Sequence, residues 1–223
     1  MSEQAIEKKI DDKLSTQEQE RIQEASLELE RIIFFSDAVI AIAITLLSVQ
    51  IYLPQDIDVN NLSQEIFNLL PKFGIYALSF LIVGNYWVIH HRVFRNIKDY
   101  DTALIWLNVF FLLCIAFMPV PSTVIGRFPT ERSAIIFFDI SLAITGIAQA
   151  SIWWHATYKH HLIPKDFSPA LVTWGKQRSL IPPIVMLLSI ALSFVSTVAA
   201  LLSWGLIWVG FYFMHRRFPG RGD

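Results

Sequence analysis

Charge is what this sequence has least of. Asp, Glu, Lys and Arg make up only 17% of its 223 residues, while 54% are hydrophobic. A soluble domain carries about a quarter charged residues. The deficit is concentrated in long apolar runs, which excludes an ordinary water-soluble domain and indicates helices that cross a bilayer. Cysteine is nearly absent: Cys114 stands alone inside one of those runs. No intrachain disulfide is therefore available, and the thiol reads as a small buried hydrophobe. A net charge of −1 gives no ground for nucleic acid as a partner. No HExxH, GxSxG or glycine-rich phosphate loop occurs, so neither an enzyme nor a resident cofactor is expected. Internal repeats and low-complexity linkers are lacking too, and the charged N-terminus does not read as a cleavable signal peptide.

The apolar runs that remain define an all-α, polytopic membrane protein. A span needs roughly 20 apolar residues, because a helix rises only about 1.5 Å per residue. Six candidate spans cover residues 31–53, 69–93, 101–125, 133–157, 179–195 and 197–214. Leu180–Met214 as one helix would be about 50 Å long, so it is split near Ser193–Ser196. Pro182–Pro183 should kink or start the fifth helix. Residues 1–30 read as a cytoplasmic polar helix. Ser15 and Glu18 have the spacing of a capping box, but the charge pattern favours a solvated helix that runs straight into the first span. Residues 31–215 form the transmembrane domain, and 216–223 a basic cytoplasmic tail.

Basic residues are strongly biased to one side of these spans. Arg21, Arg31, Arg92, Arg95, Lys98, Lys159, Lys165, Lys176, Arg178, Arg216, Arg217 and Arg221 fall on one side. The other has Lys72, Arg127 and Arg132, together with the acidic Asp56, Asp58 and Glu65. Positive charge marks the cytoplasmic side, so both termini are expected there. Tyr52, Tyr86, Tyr100, Trp153, Trp154, Tyr158, Trp174 and Tyr212 lie near span ends and read as interfacial anchors.

The first span holds the informative polar residues. Ser36 and Asp37 sit in an otherwise apolar helix, and a carboxylate there requires protein or water around it and a partner. The second span returns antiparallel, which brings Asn85, Trp87 and His90 to a similar depth. Either His90 or the Trp87 indole N–H is a candidate partner for Asp37. Ile42, Leu46 and Val49 share one helical face with Thr45 beside them, and Asp37 lies roughly 140° away. By itself such an aliphatic stripe is ordinary lipid-facing or core surface. Two other functions compete. A proton- or cation-coupled transporter would use Asp37 and His90 as a relay. It would need a second acidic site, for which Asp139 is the nearest candidate, although it reads rather as a packing residue. A haem or metal protein would draw on His90, His91, His155, His160 and His161, but these cluster at span ends, where histidine commonly anchors.

The motif Arg31-x-x-x-Phe35-Ser36-Asp37, the run Ala41-Ile42-Ala43-Ile44-Thr45 that follows, and Trp87-x-x-His90-x-Arg92-x-Phe94 together resemble the endosomal/lysosomal potassium channel family, transmembrane protein 175, in its bacterial six-helix branch. The resemblance implies a homotetramer in the bacterial inner membrane, the first helix of each subunit lining a potassium-permeable pore. It puts the narrowest ring at Ile42, further rings at Leu46 and Val49, and a potassium-preferring hydroxyl at Thr45. Permeant K+ would then pass transiently near Ile42, Thr45 and Leu46. Arg31, Phe35, Ser36, Asp37, Trp87 and His90, with Asn85 at the same depth, would hold the pore helix in place. The carbonyl-lined TVGYG filter is lacking here as in that family. Modest selectivity from an apolar constriction and dehydration-assisting hydroxyls is the expectation.

Overall fold

A computed structural model describes residues 3–51, 59–158, 161–164 and 166–217. Its regular elements are all helical: α1 (Glu3–Leu46), a 3-10 turn at Leu47–Gln50, a second at Val59–Asn61, α2 (Leu62–Arg95), α3 (Thr102–Phe117), α4 (Pro119–Arg127), α5 (Arg132–Ala156), α6 (Pro169–Ser193), α7 (Thr197–Ser203) and α8 (Leu206–Arg217). Four helical stretches, Gln19–Val49, Leu62–Arg95, Thr102–Arg127 and Arg132–Ala156, are long and apolar enough to cross a membrane. Thr197–Phe213 is a shorter apolar stretch.

Helix α5 is the centre of the bundle, packed against α3, α4 and α6. Small residues on it, among them Ala143, Gly146, Ala148 and Ala150, let neighbouring helices approach closely. At Gly146 the approach is so close that an added Cβ would stand 3.1 Å from Pro183 and 3.3 Å from the Tyr86 hydroxyl. That hydroxyl donates to the Leu142 carbonyl at 3.1 Å, tying α2 to α5. Arg132 at the start of α5 donates to the Ser193 carbonyl at the end of α6, 2.9 Å away.

Several boundaries differ from those the sequence suggested. The charged N-terminal residues run straight into the first apolar run as one continuous helix, as their charge pattern suggested, and only the capping box is absent, since Ser15 lies inside α1. The α-helical part of the first span stops at Leu46. There Thr45 donates to the Ile42 carbonyl (2.8 Å) and Ser48 to the Thr45 carbonyl (2.7 Å). Such back-bonding competes with the regular ladder, and the chain tightens into a 3-10 turn. The third span breaks at Met118, because Pro119 has no N–H to continue the ladder and instead begins α4. Helix α6 starts at Pro169, ten residues before the expected span, and encloses Pro182 and Pro183. Its end at Ser193 and the restart at Thr197 lie where the apolar stretch was divided. Ser196 caps the new helix by accepting the Ala199 N–H at 3.3 Å.

Candidate functional site

The faces of α1 diverge sharply. Leu29, Ser36, Ile40, Ala43 and Leu47 are buried against the bundle, recurring at the helical spacing that makes one stripe. The opposite face is bare within the protomer: Ile42 is 59% exposed, Leu46 47% and Val49 69%. Thr45 shares that face. Because its hydroxyl proton is committed to the Ile42 carbonyl, its oxygen lone pairs remain for another partner.

Two side-chain latches set the rotation of α1. In the first, the Ser36 hydroxyl donates to the Ile32 carbonyl (2.7 Å) and accepts from Asn108 Nδ2 on α3 (2.9 Å). The Asn108 Oδ1 lies 2.8 Å from His90 Nε2 on α2. With its amide N–H turned to Ser36, Asn108 offers oxygen to His90, so the Nε2 of His90 carries the proton and donates. Ser36 and His90 are fully buried and Asn108 is 2% exposed. The imidazole stacks between Phe94 (4.4 Å) and Phe111 (5.4 Å). Three helices thus meet through one polar chain.

In the second latch, the Trp87 indole N–H donates to Asp37 Oδ1 across 2.8 Å. Of the two partners weighed for Asp37, the geometry brings the indole to it and turns His90 towards α3. Arg31 pairs with Glu28 of its own helix at 2.7 Å on the surface. Phe35 and Asn85 are exposed and belong to neither latch. Asn108 escaped the sequence reading, although a lone amide inside the apolar run Ile105–Leu112 was the signal.

Among the described residues the candidate histidines do not gather into one site; only His155 and His161 come together, 5.1 Å apart between ring centroids. His91 lies beside Trp87, with 6.0 Å between ring centroids, and His160 falls outside the described residues. His155 and His161 both reach Asp101, a residue the sequence reading did not single out. Asp101 caps α3 by accepting the Leu104 N–H at 2.7 Å. It also holds His155 Nε2 at 3.0 and 2.8 Å and His161 Nε2 at 3.1 Å. Partial burial opposes ionisation of Asp101, but the Leu104 N–H and the two imidazoles outweigh it, bringing its pKa down to about 2. The Tyr158 carbonyl, accepting from His161 Nδ1 at 2.8 Å, and then Asp101 push the His161 pKa up. Ligating atoms of Asp101, His155 and His161 lie within 4.8 Å of one another. Capping and hydrogen bonding already engage all three. Asp139 is fully buried, facing Ser189 and Trp204, which bond each other at 3.1 Å.

Fold and latches together define a polytopic helical membrane protein whose first helix is held on one face and bare on the other. The family model for the endosomal/lysosomal potassium channel TMEM175 matches residues 31–119, which contain both latches. A potassium channel of Streptomyces collinus is 30% identical over 184 residues, 81% of this chain and 89% of that protein. The crystal structure of a lysosomal potassium-selective channel TMEM175 homolog from Chamaesiphon minutus superposes with a TM-score of 0.71 at 27% identity, covering 85% of this chain and 97% of that one. The chicken endosomal/lysosomal proton channel TMEM175 is 28% identical over 134 residues, 60% of this chain but only 27% of that protein. The chain belongs to the TMEM175 family.

Proposed function

We propose that this protein is a potassium-permeable cation channel of the bacterial inner membrane, a homotetramer with α1 of each subunit lining the central pore. The observation that carries the reading is the bare stripe of Ile42, Leu46 and Val49 on a helix latched along its other face. Names of the bacterial relatives point the same way. Subunit association would turn that stripe inward, and an aliphatic ring of this kind admits water and ions reluctantly. K+ gives up its hydration shell more readily than Na+, so the constriction at Ile42 favours it. Thr45 oxygens one turn away compensate part of the lost hydration.

In this reading six helical passes cross the bilayer. Both termini face the cytoplasm, as does the polar N-terminal helix of residues 1–30 with the basic tail 216–223, and residues 31–215 are the channel domain. Arg31, Phe35, Ser36, Asp37, Asn85, Trp87 and His90 support the pore helix. No cofactor is needed beyond permeant K+. Potassium flux from liposomes containing purified protein tests the proposal. The wild type should release K+ down its gradient, and Ile42→Asn should accelerate release. Silence from both proteins, properly folded, would rule the pore out.

Proton permeation is the second reading, favoured by the name of the vertebrate relative. A coupled relay through Asp37 and His90 is poorly supported, since Asp37 engages Trp87 while His90 engages Asn108. Acidification of the same liposomes without a K+ gradient would distinguish proton flux from K+ flux.

A further inference from the structure

Away from the bare face of α1, a cavity of about 250 Å³ opens between α2, α5, α6 and α8. Its walls grade in chemistry along α2. Tyr86, Gly146 and Pro182 line one part, and Arg92, Arg95 and Arg178 another. Tyr86 and Arg95 are about 13 Å apart along the helix axis, so apolar and cationic linings lie at different depths of the membrane. Arg178 is held between two aromatic faces, 5.0 Å from the Trp174 ring centroid and 4.9 Å from that of Phe211. Among the described residues it makes no salt bridge.

A second, independent observation points to an occupant. Gln149 lines the cavity and is 4% exposed, yet neither its amide nitrogen nor its oxygen has a hydrogen-bond partner. The indole nitrogen of Trp174, also on the cavity wall, is buried and unpaired as well. Buried polar groups are normally satisfied, so an orphaned donor, a donor–acceptor amide and a cationic rim on one cavity set the chemistry of a molecule that would fit it. Such a molecule carries a negative charge for Arg178, ester or hydroxyl oxygens for Gln149 and Trp174, and an apolar portion for the remaining wall. We propose that this cavity binds one anionic glycerophospholipid per subunit. The cavity takes the headgroup end of the lipid, with the phosphodiester against Arg178 beside Arg92 and Arg95. The glycerol and ester oxygens meet Gln149 and Trp174 once those side chains turn towards them, and the acyl chains leave through the open side past Pro182 and Tyr86. Basic pockets between transmembrane helices take anionic headgroups in this way. Such a lipid site is independent of ion conduction.

Native mass spectrometry of the full chain in detergent, titrated with phosphatidylglycerol or phosphatidylcholine, tests it. One phosphatidylglycerol per subunit should be retained, with about tenfold preference over phosphatidylcholine. Arg178→Gln should abolish that preference. Gln149→Leu should weaken retention several-fold while leaving the lipid-free protein at least as heat-stable as wild type, because it removes an unpaired amide. Glycerol phosphate should compete poorly, since it lacks the chain. Equal retention of the two lipids, wild-type binding by folded Gln149→Leu and Arg178→Gln proteins, or full displacement by glycerol phosphate would overturn the assignment.

Discussion

Trp87 and Asp37 meet at 2.8 Å, indole N–H to carboxylate, where α2 passes α1. A hydrogen bond to a charged acceptor contributes about 1.5–3 kcal/mol, and inside a membrane protein the carboxylate has few alternatives. Trp87→Phe, which keeps an aromatic ring but removes the donor, should lower stability by about that amount. A thermal-unfolding double-mutant cycle with Asp37→Asn should reveal coupling between the two positions. Asp37→Ala should impair folding or assembly before it changes ion preference. Asp37→Ala oligomers that formed normally and merely altered selectivity would show the carboxylate to be a permeation residue instead.

Asn108 serves two partners at once. Asn108→Leu would strand the Nε2–H of His90 and remove the donor to Ser36, at a cost of about 1–3 kcal/mol for each buried group left unpaired. Ser36→Ala removes a single acceptor and should cost less. Equal melting temperatures for the two variants would contradict a shared chain of bonds.

Ile42 and Thr45 should separate conductance from selectivity. Ile42→Asn would wet the constriction and raise single-channel current. Thr45→Val keeps the side-chain volume but removes the outward lone pairs, so it should shift bi-ionic reversal potentials towards Na+. Planar-bilayer recordings read both effects. Unchanged reversal potentials in Thr45→Val would exclude the hydroxyl from ion contact.

Acid and base should loosen the Asp101 cluster for opposite reasons. The folded pKa of Asp101 is depressed to about 2. Its contribution is therefore present above the unfolded value of about 3.9 and lost as pH falls towards 2. His161 is raised, so its contribution is complete below about pH 6.5 and lost as pH rises through the folded value. Asp99 and His155 are the other titratable groups near the pair. Stabilisation by the cluster should peak between about pH 4 and 6.5 and amount to no more than about 1 kcal/mol, since both side chains are partly exposed. His161→Gln should flatten the alkaline limb of a melting-temperature profile, and Asp101→Asn the acid limb. Identical profiles for wild type and both variants would exclude the effect.

Hydropathy was enough to indicate a helical membrane protein, because bilayer thickness and the cost of an intramembrane carboxylate act on any local stretch of chain; the family followed from resemblance, through the Phe35-Ser36-Asp37 and Trp87-x-x-His90 motifs. The break between Ser193 and Thr197 was legible for the same reason, since helix length against bilayer thickness is one-dimensional. The start of α6 at Pro169 was not, because prolines at a helix beginning and inside it look alike until neighbours pack. Depth put Trp87 and His90 equally close to Asp37. Only the helix rotations, set by packing against α3 and Phe111, gave the carboxylate to one and Asn108 to the other. Asn108, Asp101 and the unpaired Gln149 acquire meaning from contacts between helices far apart in sequence. No periodicity encodes such contacts; they arise when the bundle closes and each buried polar atom meets, or fails to meet, its partner.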